Sequence, residues 1–195
     1  MKNILLTSLI LVFVTGTSIV TAVAQLPKTI TDFYMALPDS RSSATGEWHF
    51  FHPPDGVHGQ AAIAKYRRSL IKIEDIKNGY LKLEGQAWEG WVEMALFKKT
   101  DGSYIVAISE VGCGPGCSSE LELVELENGA WKSVTNQYFP AFTAKEEALR
   151  AEGSYFQLPR VGRTVKMVSG SDDDSESQKS PEFAWEWNGQ KFMRR

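Results

Sequence analysis

The chain is predicted to be an all-β (β-dominated) domain, an antiparallel meander of hairpins closed as a sandwich, barrel or partial propeller, with two short helices. Three observations carry this. Apolar residues alternate with polar ones through residues 69–139, as in half-buried strands. Those runs are cut by Asn78-Gly79, Asp101-Gly102 and Asn128-Gly129, dipeptides that favour tight hairpins. A further hairpin turns through Cys113-Gly114-Pro115-Gly116-Cys117, a tip that cannot continue either strand. The turn spacing predicts roughly eight to ten strands.

Residues 1–24 read as a signal peptide. Lys2 precedes an apolar run from Ile4 to Val14, and Ala22-Val23-Ala24 forms an A-x-A cleavage pattern. Thr15, Gly16, Thr17 and Ser18 break the run well short of the roughly 20 residues a membrane span needs. The mature chain is expected to start at Gln25, to lack a membrane span, and to form a single β-rich domain over 25–195 in the periplasm or outside the cell.

Within that domain, Ile30, Phe33, Tyr34 and Leu37 recur at helical spacing. Thr29 can cap this helix, Asp32 suits its first turn, and Pro38 ends it. The apolar stripe needs a partner, an open end or a face of the sheet. Residues 39–59 read as a loop around a short extended piece at 47–51, while residues 61–68 are ambiguous, compatible with a helical turn leading into the first meander strand at 70–75.

The register of the central hairpin follows from its turn. With Thr100-Asp101-Gly102 as a three-residue loop, Leu96 faces Val106, Met94 faces Ile108, Phe97 faces Ile105 and Ala95 faces Ala107. Both faces then carry apolar pairs, so the hairpin should be covered on both sides. After the cysteines Leu121 and Leu123 lie on one parity and Val124 and Leu126 on the other, which suggests a bulge near Leu123. Thr143 to Glu146 is a capping-box pattern opening a helix over 144–152, stopped by Gly153. A strand at 163–168, an acidic loop with Asp172, Asp173, Asp174 and Glu176, and a hairpin around Asn188-Gly189 complete the chain. The Asn-Gly turns at 78, 128 and 188 recur at a spacing reminiscent of propeller blades.

The motifs NGYLKLEG (78–85), EMALF (93–97), DGSYIV (101–106) and the terminal WNG hairpin (187–189) resemble those of a loose group of secreted bacterial β-rich proteins with no known activity. The likeness covers most of the mature chain from the helix at Asp32 onward. It implies export and a β-rich fold, and it transfers no site.

Composition narrows the function further. The chain has 195 residues, 43% hydrophobic and 23% charged, with a formal net charge of −3. No run of Lys or Arg exceeds two residues, so no field gathers nucleic acid. His49, His52 and His58 cluster beside Glu47 and Asp55, but their spacing matches no zinc frame and the expectation is a polar loop without metal. Cys113 and Cys117 are spaced C-x3-C, not C-x2-C, and are expected to form a structural disulfide. Trp88, Trp91, Trp131, Trp185 and Trp187 offer either core packing or a sugar-stacking platform. Glu89 and Glu93 read as solvent-facing strand carboxylates, and Ser118 and Ser119 have no recognisable triad. No cofactor is expected. The leading expectation is an exported non-enzymatic domain that binds a protein or envelope component. The alternatives are a hydrolytic or metal-dependent secreted enzyme using the His49, His52 and His58 loop, and an enzyme inhibitor using the Cys113, Cys117 tip.

Overall fold

The computed structural model describes residues 27–38, 42–43, 46–47, 53–85, 89–170 and 182–195. Residues 1–24, expected to be a signal peptide, and His49, His52, Trp88 and the acidic stretch at 172–176 lie outside the described residues.

The chain begins with α1 (Ile30–Ala36), a two-residue ladder of β1 (Ser42–Ser43) and β2 (Gly46–Glu47), and α2 (Gln60–Ser69). Six strands follow: β3 (Ile71–Asp75), β4 (Tyr80–Leu83), β5 (Gly90–Lys98), β6 (Tyr104–Cys113), β7 (Cys117–Glu127) and β8 (Ala130–Ser133). They pair in chain order as one antiparallel sheet. One helical turn, α3 (Thr135–Tyr138), and α4 (Ala144–Ala151) lead to β9 (Ser154–Gln157), β10 (Thr164–Ser169), β11 (Phe183–Trp187) and β12 (Phe192–Arg194). These last four form a second antiparallel sheet.

The turns act as their residues dictate. Asn128 and Gly129 both have positive φ, as a two-residue loop with the twist of its flanking strands requires, and Glu127 then pairs with Ala130. Gly102 takes the left-handed position after Asp101, and the four pairs expected between β5 and β6 are all present.

Both faces of the large sheet are covered. One carries Ala95, Phe97, Ile105, Ala107, Leu121 and Leu123 against Phe156, Val165, Met167, Trp185, Trp187 and Phe192 of the small sheet, with Phe139 between them. The other carries Leu81, Leu83, Val92, Met94, Val106, Ile108 and Val124 against Ile30, Phe33, Tyr34 and Leu37 of α1. The stripe on α1 has therefore found a face of the sheet, and the architecture is a two-sheet sandwich with a helical layer outside it.

Three expectations change. Among the described residues no closed barrel forms, because β3 and β8 remain separate edges of the large sheet. Among the described residues there are four helical segments and not two: the Ala-rich stretch at 60–69 is helical throughout α2, and a single turn follows Val134. No bulge occurs near Leu123, since the pairing runs unbroken from Val106 with Val124 to Cys113 with Cys117. Both parities of β7 are apolar because the sheet is buried on both faces, while the register shift lies between Ile71 and Ile73 in β3.

Candidate functional site

The residues singled out in the sequence are dispersed, and several of them hold the sandwich together. Cys113 and Cys117 are joined by a disulfide with Cα atoms 4.1 Å apart. The hairpin they close lies against the body of the domain. Cys113 N–H donates to Glu89 O and Cys117 N–H to Gly170 O, each at 2.8 Å, and the cysteines pack against Val111, Trp91, Tyr155 and Val168. Gly114, Pro115 and Gly116 are exposed at the tip, as are Gly112 and Ser118 beside the cysteines.

His58 is exposed, and among the described residues no three His, Cys, Asp or Glu side chains stand together as a metal site. Trp185 and Trp187 are buried in the sandwich. Trp131 lies on the opposite face, edge-on to Phe33, with its indole N–H donating to Ala36 O. Trp91 sits half-buried at the sheet end, edge-on to Tyr155, with Lys82 Nζ 4.7 Å from its ring centre. The described tryptophans thus share no single surface.

Glu93 departs from its expected place in solvent. It is buried, its Oε1 accepting from Tyr80 O–H at 3.0 Å and its Oε2 from Leu158 N–H at 2.6 Å. Glu89 is exposed. Ser119 Oγ accepts from Phe156 N–H at 2.6 Å, and Ser109 Oγ donates to Phe156 O at 2.7 Å. A carboxylate and two hydroxyls thereby fasten β9 and the turn after it to the large sheet, where unpaired backbone groups would be costly.

A different seam offers accessible chemistry. A groove of about 500 Å³ runs between residues 136–141 and 191–194, lined by Asn136, Gln137, Tyr138, Phe139, Pro140 and Ala141 on one side and Lys191, Phe192, Met193 and Arg194 on the other. Its aromatic floor is set by the core, Phe139 stacking 5.4 Å from Phe192 and Tyr138 5.9 Å from Trp187. One wall is the strand edge β12. Ladder bonds at Arg195 N with Ala184 O and Asn188 N with Lys191 O place residues 191, 193 and 195 in bonding contact with β11. By antiparallel alternation, the N–H and C=O of Phe192 and Arg194 point away from β11. Among the described residues nothing pairs with them.

Arg194 closes one end of this groove. Its Nε and one Nη donate to the two carboxylate oxygens of Glu146 at 2.8 and 2.9 Å, and the same Nη reaches Ala141 O. Glu146 is the third residue of the α4 capping box, exchanging bonds with Thr143, and only 1% exposed. The Arg194 guanidinium, outweighing the cost of burial, and the Thr143 N–H hold its carboxyl down to about 2. A depressed carboxylate contributes stability above its unfolded pKa, and that contribution is lost as pH falls through the folded value. Allowing for solvent around the half-exposed Arg194, about 2 kcal/mol should disappear between roughly pH 5 and pH 2. Urea titrations across that range should show the loss in wild type and a flatter profile in Glu146→Gln. Parallel profiles would remove Glu146 as its source.

The sequence marked Thr143 and Glu146 as a cap but gave no sign of Arg194 as partner, because that contact spans 48 residues. No family model matches the chain, and no curated protein matches it. Among solved structures it is similar to a domain of an uncharacterized protein from Porphyromonas gingivalis W83, with 13% identity, 83% of this chain and 95% of that one covered, and a TM-score of 0.49.

Proposed function

We propose that this chain is an exported, non-enzymatic domain that binds a protein or envelope component through the groove beside β12. The observation that carries the reading is the chemistry of that groove. Its lining combines two cations, two side-chain amides, a tyrosine and apolar side chains with an unpaired strand edge, the composition of a recognition surface. The buried carboxylates nearest to a catalytic description, Glu93 and Glu146, are committed to Tyr80, Leu158, Thr143 and Arg194. Export is supported by the A-x-A pattern at residues 22–24 and by the disulfide, a bond kept in oxidising compartments.

The test is a photo-crosslinking side chain at Met193, which is 46% exposed beside the groove, with the same side chain at Val161, 75% exposed in the loop before β10, as control. In cells exporting the protein, Met193 should give a discrete adduct and Val161 none. Equal adducts at both positions, or none at Met193, would remove this groove as the contact surface. Mass spectrometry on the same material should find Gln25 as the first residue, and an intact Met1 on membrane-extracted protein would overturn export.

A further inference from the structure

Resting on that reading, we infer that the partner contributes an extended acidic segment that adds to β12 as a fifth strand of the small sheet. Edge strands expose a row of backbone donors and acceptors that template another strand. The outward groups of Phe192 and Arg194 are such a row, and a groove of about 500 Å³ lies beside them.

Charge selects the occupant. Strand alternation places Lys191, Met193 and Arg195 on the outer face of β12, where Met193 opposes Glu186 and Arg195 reaches the same carboxylate at 3.3 Å. Arg163 shares Glu186 as well, at 3.7 Å, while Glu146 is consumed by Arg194. Around this edge Arg163, Lys191, Arg194 and Arg195 stand against Glu146, Glu182 and Glu186, four cations to three carboxylates, in a chain whose net charge is −3.

A second copy of the chain is disfavoured by the same residues. Antiparallel self-pairing centred on Met193 would set Phe192 against Arg194 and bring two sets of Lys191, Arg194 and Arg195 together, and like charges across a ladder destabilise it. Lysine and arginine on an edge are a usual guard against self-association, yet they leave the edge open to a strand of opposite charge. The matching segment carries carboxylates across from Lys191 and Arg195, an apolar residue across from Met193, and apolar residues on the alternate positions that enter the Tyr138, Phe139 and Pro140 side of the groove. Its pattern is acidic, three apolar, acidic.

The probe is the blocked peptide Thr-Glu-Val-Val-Val-Glu-Thr, compared with Thr-Lys-Val-Val-Val-Lys-Thr. Amide spectra of the full mature protein should show the glutamate peptide perturbing Phe192, Met193 and Arg194 and protecting the Phe192 and Arg194 amides from exchange. The lysine peptide should bind at least about tenfold more weakly, and raising salt from about 50 to 500 mM should weaken the glutamate peptide several-fold. Lys191→Glu with Arg195→Glu should reverse the preference. N-methylation of the peptide should abolish binding at alternate residues only, the signature of strand addition.

Equal binding of both peptides would overturn the acidic preference. Perturbation elsewhere, or none with either peptide at about 1 mM, would overturn strand addition, and an adduct at Met193 in the same protein would then leave the binding function standing without it. A concentration-dependent dimer with protected Phe192 and Arg194 amides would assign the edge to a second copy and overturn the inference.

Discussion

Replacing Arg67 with alanine should destabilise the domain by about 3 to 4 kcal/mol and lower its melting temperature by about 10 °C. Arg67 lies on α2, only 2% exposed, with one Nη donating to Tyr34 O and Met35 O at 3.2 Å and to Leu37 O at 2.7 Å. These carbonyls cluster at the C-terminal end of α1, where the negative end of its dipole lies; Tyr34 O also accepts from the Leu37 N–H, and Leu37 is the cap residue. Burial pushes the Tyr34 phenol above its ordinary pKa, so it stays protonated and donates in return to Arg67 O at 3.1 Å. Without the guanidinium, buried carbonyls lose a charged donor, and each such loss costs about 1 to 3 kcal/mol. The damage extends beyond the helix end, because Ile30, Phe33, Tyr34 and Leu37 pack into the core on one face of the large sheet. Arg67→Met keeps most of the stem and should still lose more than half of the effect, whereas Arg67→Lys, a point charge without the planar fork, should recover part of it. Chemical denaturation of the three variants is the measurement. A loss below about 1 kcal/mol for Arg67→Ala would mean that water serves the α1 carbonyls equally well.

The residues that were legible in the sequence are those whose partners lie close along the chain. The β5 and β6 register followed from Asp101-Gly102 and the apolar residues on either side, since a three-residue loop leaves one pairing that puts like with like. The same apolar alternation announced two buried faces without saying what covers each. The covering elements are remote: α1 precedes the sheet and β9 to β12 follow it. Strand β9 carried no local signal at all. Ser154, Tyr155, Phe156 and Gln157 have neither a turn dipeptide nor alternation, and Phe156 is held in place by Ser109 and Ser119, hydroxyls remote from it in the chain. α2 was ambiguous for a similar reason, as it starts at Gly59 with no side-chain cap.

The candidate site was less legible than the fold. Glu93 alternates like any solvent-facing carboxylate, and only the arrival of Leu158 over the sheet makes it a buried anchor. The groove joins residues 136–141 to residues 191–194, so neither wall identifies it alone. The final residues looked like an ordinary closing hairpin, because the meaning of Lys191, Arg194 and Arg195 depends on which edge of which sheet β12 occupies.

Adding one methyl group at Gly170 should cost about 3 kcal/mol or more, exceeding the removal of the nearby disulfide. A Cβ on Gly170 would stand 1.8 Å from Cys117 O and 2.8 Å from Cys117 C, so a backbone segment and not a flexible side chain has to give way. The contact is tight because two backbones meet there: Cys117 N–H donates to Gly170 O, and Gly170 N–H to Gly153 O. Separating them sacrifices the Cys117–Gly170 bond, about 1 kcal/mol, strains the Gly170–Gly153 bond if Gly170 is the one to move, and loosens the packing of Val111, Trp91, Tyr155 and Val168 around the cysteines. The Cys113→Ser, Cys117→Ser variant removes only the short loop constraint, about 2 kcal/mol, and leaves the backbone docking intact. It should keep the fold with a melting temperature lowered by about 4 to 8 °C, and native protein should expose no reactive thiol. The two changes should also couple. The disulfide holds the Cys117 carbonyl against Gly170, so in the cysteine-free background that carbonyl can retreat and the cost of Gly170→Ala should fall by about 1 kcal/mol. Urea unfolding followed by tryptophan fluorescence gives all four corners of the cycle. A cost below about 0.5 kcal/mol for Gly170→Ala would show that the tip does not dock on β10, and strict additivity would show that the disulfide plays no part in holding it there.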